Sequence, residues 1–222
     1  VLTESNALEE YAEYYAPYRP NYSGDTGYTG DYEHGGSYGD TIDTSGFVSP
    51  STKNNVDLAD YVMQAWENNW GYCWGTYGNI LTEALFNYKL QQYPEGVGKY
   101  EDFIRANWLG RRTADCIGLI KGYGWLDAAS GSINYGTNGM PDVGADQMYA
   151  NAQKAGMAGT MDTIPEVVGI ALWKQGHIGV YIGNGYAVEA MGTKYGVVRT
   201  EVVGRGWQGW CRIPYIEYRE AG

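Results

Sequence analysis

Two residues in the second half of the chain have side chains suited to nucleophilic chemistry, and the first is Cys116. It follows Asp115 and precedes an apolar segment over residues 117–120 that we interpret as the start of a helix despite its glycines. At a helix start, backbone amide donors and the helix dipole favour the thiolate, so a cysteine there can act as a nucleophile near neutral pH. The alternative is an inert core cysteine, because free cysteine is among the most buried residue types.

A thiolate nucleophile also needs a base that can hold the thiol proton. His177 opens a predicted strand after a short turn over residues 174–176, and it is the better of two candidates. The other histidine, His34, lies in a polar segment that reads as a linker. A purely structural role for His177 in its strand remains the alternative.

The pattern of apolar residues over 178–190 predicts the orientation of Glu189. A two-residue turn over 184–185 would place Glu189 among the aliphatic side chains of the preceding strand. A three-residue loop over 183–185 instead places His177 and Glu189 on the opposite face, so we predict this loop. Glu189 is then diagonal to His177 and can accept the Nδ1 proton, as the third member of a catalytic triad does. The alternative is a solvated glutamate on an exposed face.

The elements that must position these residues are helices first and strands afterwards. Apolar spacing indicates a helix from Asn55 onward, and other segments have helical or alternating patterns. Further helices are predicted near 81–92, 100–107 and 145–154 and after Cys116, and strands at 167–173, 178–182, 186–190 and 197–202. This order predicts an α+β fold, with N-terminal helices packed on an antiparallel sheet.

The first 50 residues differ in composition from the rest of the chain. They contain nine acidic residues against Arg19 alone, so they carry most of the net charge of −11. Residues 21–50 are dense in Gly, Ser, Asp, Thr and Tyr without periodicity, which is typical of a linker. We predict an acidic arm over 1–50 and a catalytic domain over 51–222. A free tether to another module is favoured over an arm ordered on the body, although eight tyrosines in this segment could pack.

Composition argues against several classes of protein. The negative charge is opposite to the basic face that nucleic-acid binding needs. The longest apolar run, over 167–173, is too short to span a membrane. Three cysteines and two histidines are too few for a disulfide framework or a closed zinc site, so no metal or cofactor is expected. Cys73 and Cys211 could pair or could be separate buried thiols.

Three separated motifs over residues 55–216 resemble the NlpC/P60 cysteine peptidase family. They are Gly71-Tyr72-Cys73-Trp74-Gly75, Asp115-Cys116-Ile117-Gly118-Leu119-Ile120 and Gly176-His177-Ile178-Gly179-Val180-Tyr181-Ile182-Gly183-Asn184-Gly185. The ending, from 205–207 to 214–216, resembles a subgroup common in clostridial and phage cell-wall lysins. The resemblance implies a papain-like fold and hydrolysis of bacterial peptidoglycan stem peptides, often between D-glutamate and the diamino acid. It also implies action outside the cytoplasm, in the cell wall or after secretion, with delivery by a phage as an open alternative.

The resemblance also assigns roles to individual residues. Cys116 matches the family nucleophile, His177 the base and Glu189 the third polar residue. Tyr72 and Asp115 match residues that line the subsite for the free amine of the stem's L-alanine. Aromatic packing for Tyr72 and helix capping for Asp115 remain alternatives.

The sequence departs from the family pattern at two places. The third residue is commonly His, Asn or Gln in the family, and a charged Glu189 is expected to favour the protonated form of His177. In addition, Asp142 follows Pro141 where many members have a basic residue, so the inherited substrate specificity is in doubt.

Two other functions fit some of these features. An amidase that cuts between the glycan lactyl group and L-alanine would use the same nucleophile and base. A catalytically idle wall-binding or phage-tail module would keep only the scaffold, and the retention of Cys116, His177 and an acidic third residue argues against it.

Overall fold

The computed structural model describes residues 32, 33, 35 and 39–219, so His34 lies outside the described residues. The α-helices of this part of the chain are α1 (Asn55–Glu67), α2 (Glu83–Gln92), α3 (Glu101–Asn107), α4 (Cys116–Trp125) and α5 (Ala145–Lys154). The strands are β1 (Tyr32–Glu33), β2 (Tyr77–Ile80), β3 (Arg112–Ala114), β4 (Leu126–Asp127), β5 (Ser132–Ile133), β6 (Ala158–Thr160), β7 (Ala171–Lys174), β8 (His177–Gly183), β9 (Tyr186–Gly192), β10 (Gly196–Glu201) and β11 (Gly209–Cys211).

Seven of these strands form one antiparallel sheet in the order β1-β10-β9-β8-β7-β11-β6. Helices α1 and α4 pack on its central strands β8 and β9. The predicted combination of N-terminal helices and an antiparallel sheet is therefore confirmed. None of the helices in the described residues is both long and apolar enough to cross a bilayer.

Helix α1 begins where the sequence supplies a cap and an apolar stripe. The Asn54 side chain accepts hydrogen bonds from the backbone amides of Val56 and Asp57, which satisfies two orphan donors of the first turn. Leu58 and Val62 are fully buried in the main core. The helix is thereby fixed against the sheet, where it supports the strands that carry the candidate catalytic residues.

The hairpin of β8 and β9 has the predicted register along its strands, but its loop differs from the prediction. Gly183 pairs with Tyr186, and the two residues between them, Asn184 and Gly185, have φ of 53° and 79°. The loop thus has two residues with positive φ, as a type I′ turn requires, so the predicted three-residue loop is wrong. A β-bulge between Tyr181 and Gly183 supplies the extra residue and restores the pairing of 180 with 188. Glu189 consequently lies on the His177 face.

The strand predicted over 167–173 is shorter and begins later than expected. Gly169 has a φ of 78°, a left-handed conformation that interrupts an extended strand, and β7 covers only Ala171–Lys174. The apolar run before Ala171 therefore adds no strand residues, and Ile170 is instead buried in a smaller core cluster on the sheet.

Residues 39–50 are packed on the body. Ile42 and Phe47 are buried in the main core, and the Thr44 hydroxyl donates to the Ala128 carbonyl at 2.7 Å. The carboxylate of Asp57 accepts the backbone amides of residues 48 and 49. Residues 39–50 therefore do not form the expected free tether. Burial of the Ile42 and Phe47 side chains stabilises their packing on the body. Most of the predicted arm, residues 1–31, lies outside the described residues.

Helix α4 tolerates glycines because it lies directly against the chain entering β2. A Cβ atom on Gly118 would lie well inside van der Waals contact of the Thr76 carbonyl oxygen. A Cβ on Gly122 would make the same collision with the carbonyl oxygen of Tyr77. Glycine at these two positions lets the helix backbone approach the neighbouring chain more closely than any other residue would allow.

Candidate active site

Cys116 is the first residue of α4, as predicted, and its N-cap is Asp115. One carboxylate oxygen of Asp115 accepts the Gly118 amide at 2.6 Å, and the other accepts the Gly75 amide at 2.8 Å. The capping role that the sequence left open for Asp115 is therefore present. Cys116 is 7% exposed, at the positive end of the helix dipole, which favours a thiolate.

His177 and Glu189 form a buried pair on neighbouring strands. Both residues are fully buried, and 2.7 Å separates His177 Nε2 from a carboxylate oxygen of Glu189. The prediction that they share a face is confirmed, but the predicted ring atom, Nδ1, is wrong. The imidazole stacks on Trp207, with 5.6 Å between the centroids and 12° between the planes. In this orientation Nε2 faces Glu189.

Two further side chains hold the Glu189 carboxylate. Arg205 donates to both of its oxygens, from Nε at 3.0 Å and from Nη2 at 2.8 Å. The Thr200 hydroxyl donates to Oε1 at 2.8 Å. Bidentate pairing with a guanidinium orients the plane of the carboxylate and stabilises its negative charge. The sequence interpretation missed Arg205, although a glutamate flanked by apolar strand residues is itself a signal that a buried cation must lie nearby.

Lys174 adds a second buried positive charge next to the pair. It is the cross-strand partner of His177, is 2% exposed and donates to the Arg205 carbonyl at 2.6 Å. Its ammonium lies 4.5 Å from the centroid of the Trp207 ring. Burial lowers the pKa of Lys174 from 10.5 to about 7, although the charge of Glu189 acts in the opposite direction.

The charges of this cluster act on His177 in opposite directions. Burial lowers the pKa of His177, the hydrogen bond and charge of Glu189 raise it, and the charges of Lys174 and Arg205 lower it again. Glu189 therefore favours the protonated form of His177, as expected, but burial outweighs this effect and the net direction is downward. Burial acts to raise the pKa of Glu189, but the Arg205 charge and the hydrogen bond to His177 hold it well below the usual value. The pKa of His177 is thus lowered mainly by burial, with smaller contributions from the charges of Lys174 and Arg205.

A cavity of about 460 Å³ opens at Cys116. Among the predicted site residues, Tyr72 and Asp115 also line it, as does Gly176, the residue before His177. Five further aromatic residues line it, namely Trp74, Tyr77, Tyr88, Tyr93 and Tyr135. Tyr72 is 1% exposed and packs in the main core, so it combines the packing role with a place at the cavity wall.

Several charged side chains line the same cavity. Lys121 forms an ion pair with Asp142, and the Tyr135 hydroxyl donates to Asp142 at 2.6 Å. Asp146, in the first turn of α5, accepts the Gly176 amide at 2.8 Å. That bond anchors the turn immediately before His177. The Asp146 carboxylate thereby links one wall of the cavity to the predicted base.

The other two cysteines are separate, buried thiols. Cys73 and Cys211 are both unoxidised and lie in different core clusters, which answers the pairing question left open by the sequence. Burial raises the pKa of each thiol to about 12. Neither is therefore suited to act as a nucleophile near neutral pH. In the part of the chain that the structure describes, no group of His, Cys, Asp and Glu is arranged to hold a metal ion.

No protein-family model matches the chain, and no curated protein matches it. Among solved structures, the chain is similar to the peptidoglycan hydrolase RipB from Mycobacterium tuberculosis. The two are 22% identical, with a TM-score of 0.40 over 74% of this chain and 67% of the RipB chain.

Proposed function

We propose that this chain is a cysteine peptidase that hydrolyses peptidoglycan stem peptides. The observation that carries the proposal is the combination of Cys116, at the start of α4 beside an open cavity, with the buried His177–Glu189 hydrogen bond. The substrate class comes from the resemblance of the three motifs to the NlpC/P60 family. The bond that we propose is cut joins the γ-carboxyl of D-glutamate to the diamino acid, in the cell wall outside the cytoplasm.

The proposed reaction is acyl transfer through a thioester. Because Nε2 of His177 faces Glu189, Nδ1 is the atom that takes the thiol proton of Cys116. The thiolate then attacks the carbonyl carbon, and the backbone amide at the start of α4 stabilises the oxyanion. Collapse of the tetrahedral intermediate breaks the C–N bond as His177 protonates the leaving amine. Water, deprotonated by His177, then hydrolyses the thioester and restores the thiol.

Glu189 acts in this scheme by orienting the imidazole of His177. Its carboxylate is held by Arg205 and Thr200, so the hydrogen bond to Nε2 selects the ring orientation without a net excess of negative charge. His177, with its lowered pKa, is then neutral before reaction and available as a base.

We propose that Tyr72 and Asp115 form the subsite for the free amine of the stem's L-alanine. Both line the cavity beside Cys116, and two backbone amides hold the Asp115 carboxylate in place. Its negative charge would attract an ammonium group entering the cavity.

Mass spectrometry of digested peptidoglycan tests the proposed function. Purified sacculi from a Gram-negative and a Gram-positive source are incubated with the wild type, with Cys116→Ala and with Cys211→Ala, which alters a buried thiol outside the site. We expect products cut after D-glutamate from the wild type and Cys211→Ala, and none from Cys116→Ala. Products cut between the lactyl group and L-alanine would establish the amidase instead. An absence of products from the folded wild type would favour the idle module.

A further inference from the structure

Lys89, on α2, differs from the other charged side chains around the cavity. Lys121 forms an ion pair with Asp142, and the carboxylates of Asp115 and Asp146 each accept two hydrogen bonds, from the amides of Gly75 and Gly118 and from the amide of Gly176 and the indole of Trp173. Lys89 is only 8% exposed, and its ammonium donates to the neutral side chain of Gln92 at 3.0 Å. No carboxylate within residues 39–219 forms an ion pair with it.

Lys89 lines the same cavity as Cys116, and its ammonium lies beside Gly75. Its Nζ atom is 3.1 Å from the position that a Cβ on Gly75 would take, and the Gly75 amide donates to Asp115. The rings of Tyr88 and Tyr93 lie 5.3 and 5.6 Å from Nζ, so aromatic faces form part of the surroundings of the ammonium. Burial lowers the pKa of Lys89, and the charges of Asp115 and Asp142 act to raise it without forming an ion pair with it. A buried cation that forms one hydrogen bond to a neutral side chain and lines an open cavity is well placed to bind an anionic group of a ligand.

We propose that Lys89 binds the free α-carboxylate of the γ-linked glutamate and makes the enzyme prefer stems that carry it over amidated stems. This inference rests on the proposed function. A glutamate joined through its γ-carboxyl keeps an unbonded α-carboxylate, which lies a few bonds from the carbonyl that Cys116 attacks. The same glutamate is directly attached to L-alanine, whose amine we assign to Asp115. Amidation removes the negative charge and leaves Lys89 without its counterion.

Two synthetic tripeptides test this preference: L-Ala-γ-D-Glu-L-Lys and its amidated form, L-Ala-γ-D-isoGln-L-Lys. We measure the ratio of their kcat/KM values for the wild type, for Lys89→Met and for Lys154→Met, which removes an exposed lysine at the end of α5. The wild type and Lys154→Met should prefer the acid by about tenfold to a hundredfold, the range for a charge-assisted hydrogen bond. In Lys89→Met the ratio should fall close to one. Lys89→Gln is the second neutral variant if Lys89→Met lowers the melting temperature.

An unchanged ratio in folded Lys89→Met or Lys89→Gln, or a wild type without preference, would overturn the inference. Calorimetric titration of both peptides into Cys116→Ala, with and without Lys89→Met, measures binding without hydrolysis. It thereby distinguishes failure of the carboxylate-binding role of Lys89 from failure of the proposed peptidase function. Tighter binding of the acid that depends on Lys89, without hydrolysis by the wild type, would refute the peptidase and retain the carboxylate site. Equal affinities for both peptides would overturn the carboxylate site itself.

Discussion

Arg205 places a permanent positive charge against both oxygens of Glu189, and so against the partner of His177. Replacement by Met removes a charge that lowers the pKa of His177 and leaves the Glu189 charge uncompensated. We therefore expect Arg205→Met to raise the pKa of His177. Titration of the histidine ring signals by NMR in the Cys116→Ala background measures it directly.

The control for Arg205→Met is Arg199→Met, which removes an arginine that pairs with Glu33 away from the buried cluster. A His177 pKa that stays constant or falls in Arg205→Met would contradict the assignment. Because removal of one member of a buried ion pair costs about 3–5 kcal/mol, each variant is first checked for cooperative unfolding. Arg205→Gln, which also removes the charge but keeps a hydrogen-bond donor, replaces it if the Met variant does not fold.

Glu189→Gln should shift the pKa of His177 in the opposite direction. The substitution removes the negative charge that raises this pKa and leaves only a neutral amide oxygen as acceptor, while Lys174 and Arg205 continue to lower it. We expect a lower His177 pKa and a loss of kcat of at least about tenfold, since the imidazole loses its charged orienting partner. The same NMR titration, combined with peptide hydrolysis across pH, measures both effects. If the pKa of His177 shifted in the same direction in Arg205→Met and Glu189→Gln, the opposite effects assigned to Arg205 and Glu189 would be refuted.

At the scale of elements, the segment before α1 behaves as part of the core. Phe47 is 7% exposed and packs edge-on against Tyr123, with 6.2 Å between ring centroids. Phe47→Ala should lower the free energy of unfolding by about 3 kcal/mol, because it removes a large buried ring. Val48→Ala is the matched control, since Val48 is 55% exposed and should change stability little. Urea unfolding monitored by tryptophan fluorescence measures both, and equal effects would contradict the packing.

Long elements with clear periodicity could be predicted from the sequence. The helix predicted over 145–154 has the bounds of α5, and the hairpin of β8 and β9 has the predicted face. The turn was missed because a two-residue loop with a bulge and a three-residue loop place the same residues on each face. Strand β11 was missed because three residues carry no measurable alternation, and it forms only through pairing with β6 and β7.

The site could be predicted in part, for the same physical reasons. Local sequence identifies Cys116 as a residue at a helix start, and strand alternation brings His177 and Glu189 together. Arg205 reaches Glu189 from the irregular chain after β10, where no periodicity predicts a side-chain direction. Lys89 has the helical position of an ordinary surface lysine, and its burial depends on elements distant in the chain.

At the scale of the whole molecule, the buried bases make stability depend on pH. The pKa of Lys174 is about 7 in the folded protein and 10.5 when exposed, so the folded state holds fewer protons between these values. The free energy of unfolding must then rise with pH across that window. The buried thiols of Cys73 and Cys211 act in the opposite direction above about pH 8, because burial raises their pKa to about 12 and they stay protonated in the folded state while the unfolded thiols ionise. Up to pH 9 their effect is smaller than that of Lys174, because the unfolded thiols are only partly ionised there. The lowered pKa of His177 produces a similar rise below pH 6.5.

We expect stability to increase by about 1–2 kcal/mol from pH 7 to pH 9, and the melting temperature by a few degrees. Lys174→Met should flatten this rise, whereas Lys154→Met should keep it. Differential scanning calorimetry at pH 7, 8 and 9 provides the measurement. A wild-type melting temperature that falls over this range would mean that Lys174 is charged in the folded state.

The contact of Gly118 and Gly122 with the chain entering β2 bears on how this protein could be redesigned. Backbone atoms on both sides limit how closely α4 approaches that chain, and the helix carries Cys116 at its first position. Libraries that vary Leu119 or Ile120 should therefore exchange core volume without moving the nucleophile. Any side chain at the two glycines would instead push the helix outward and displace the sulfur. Selection for new substrates must therefore leave these two positions unchanged.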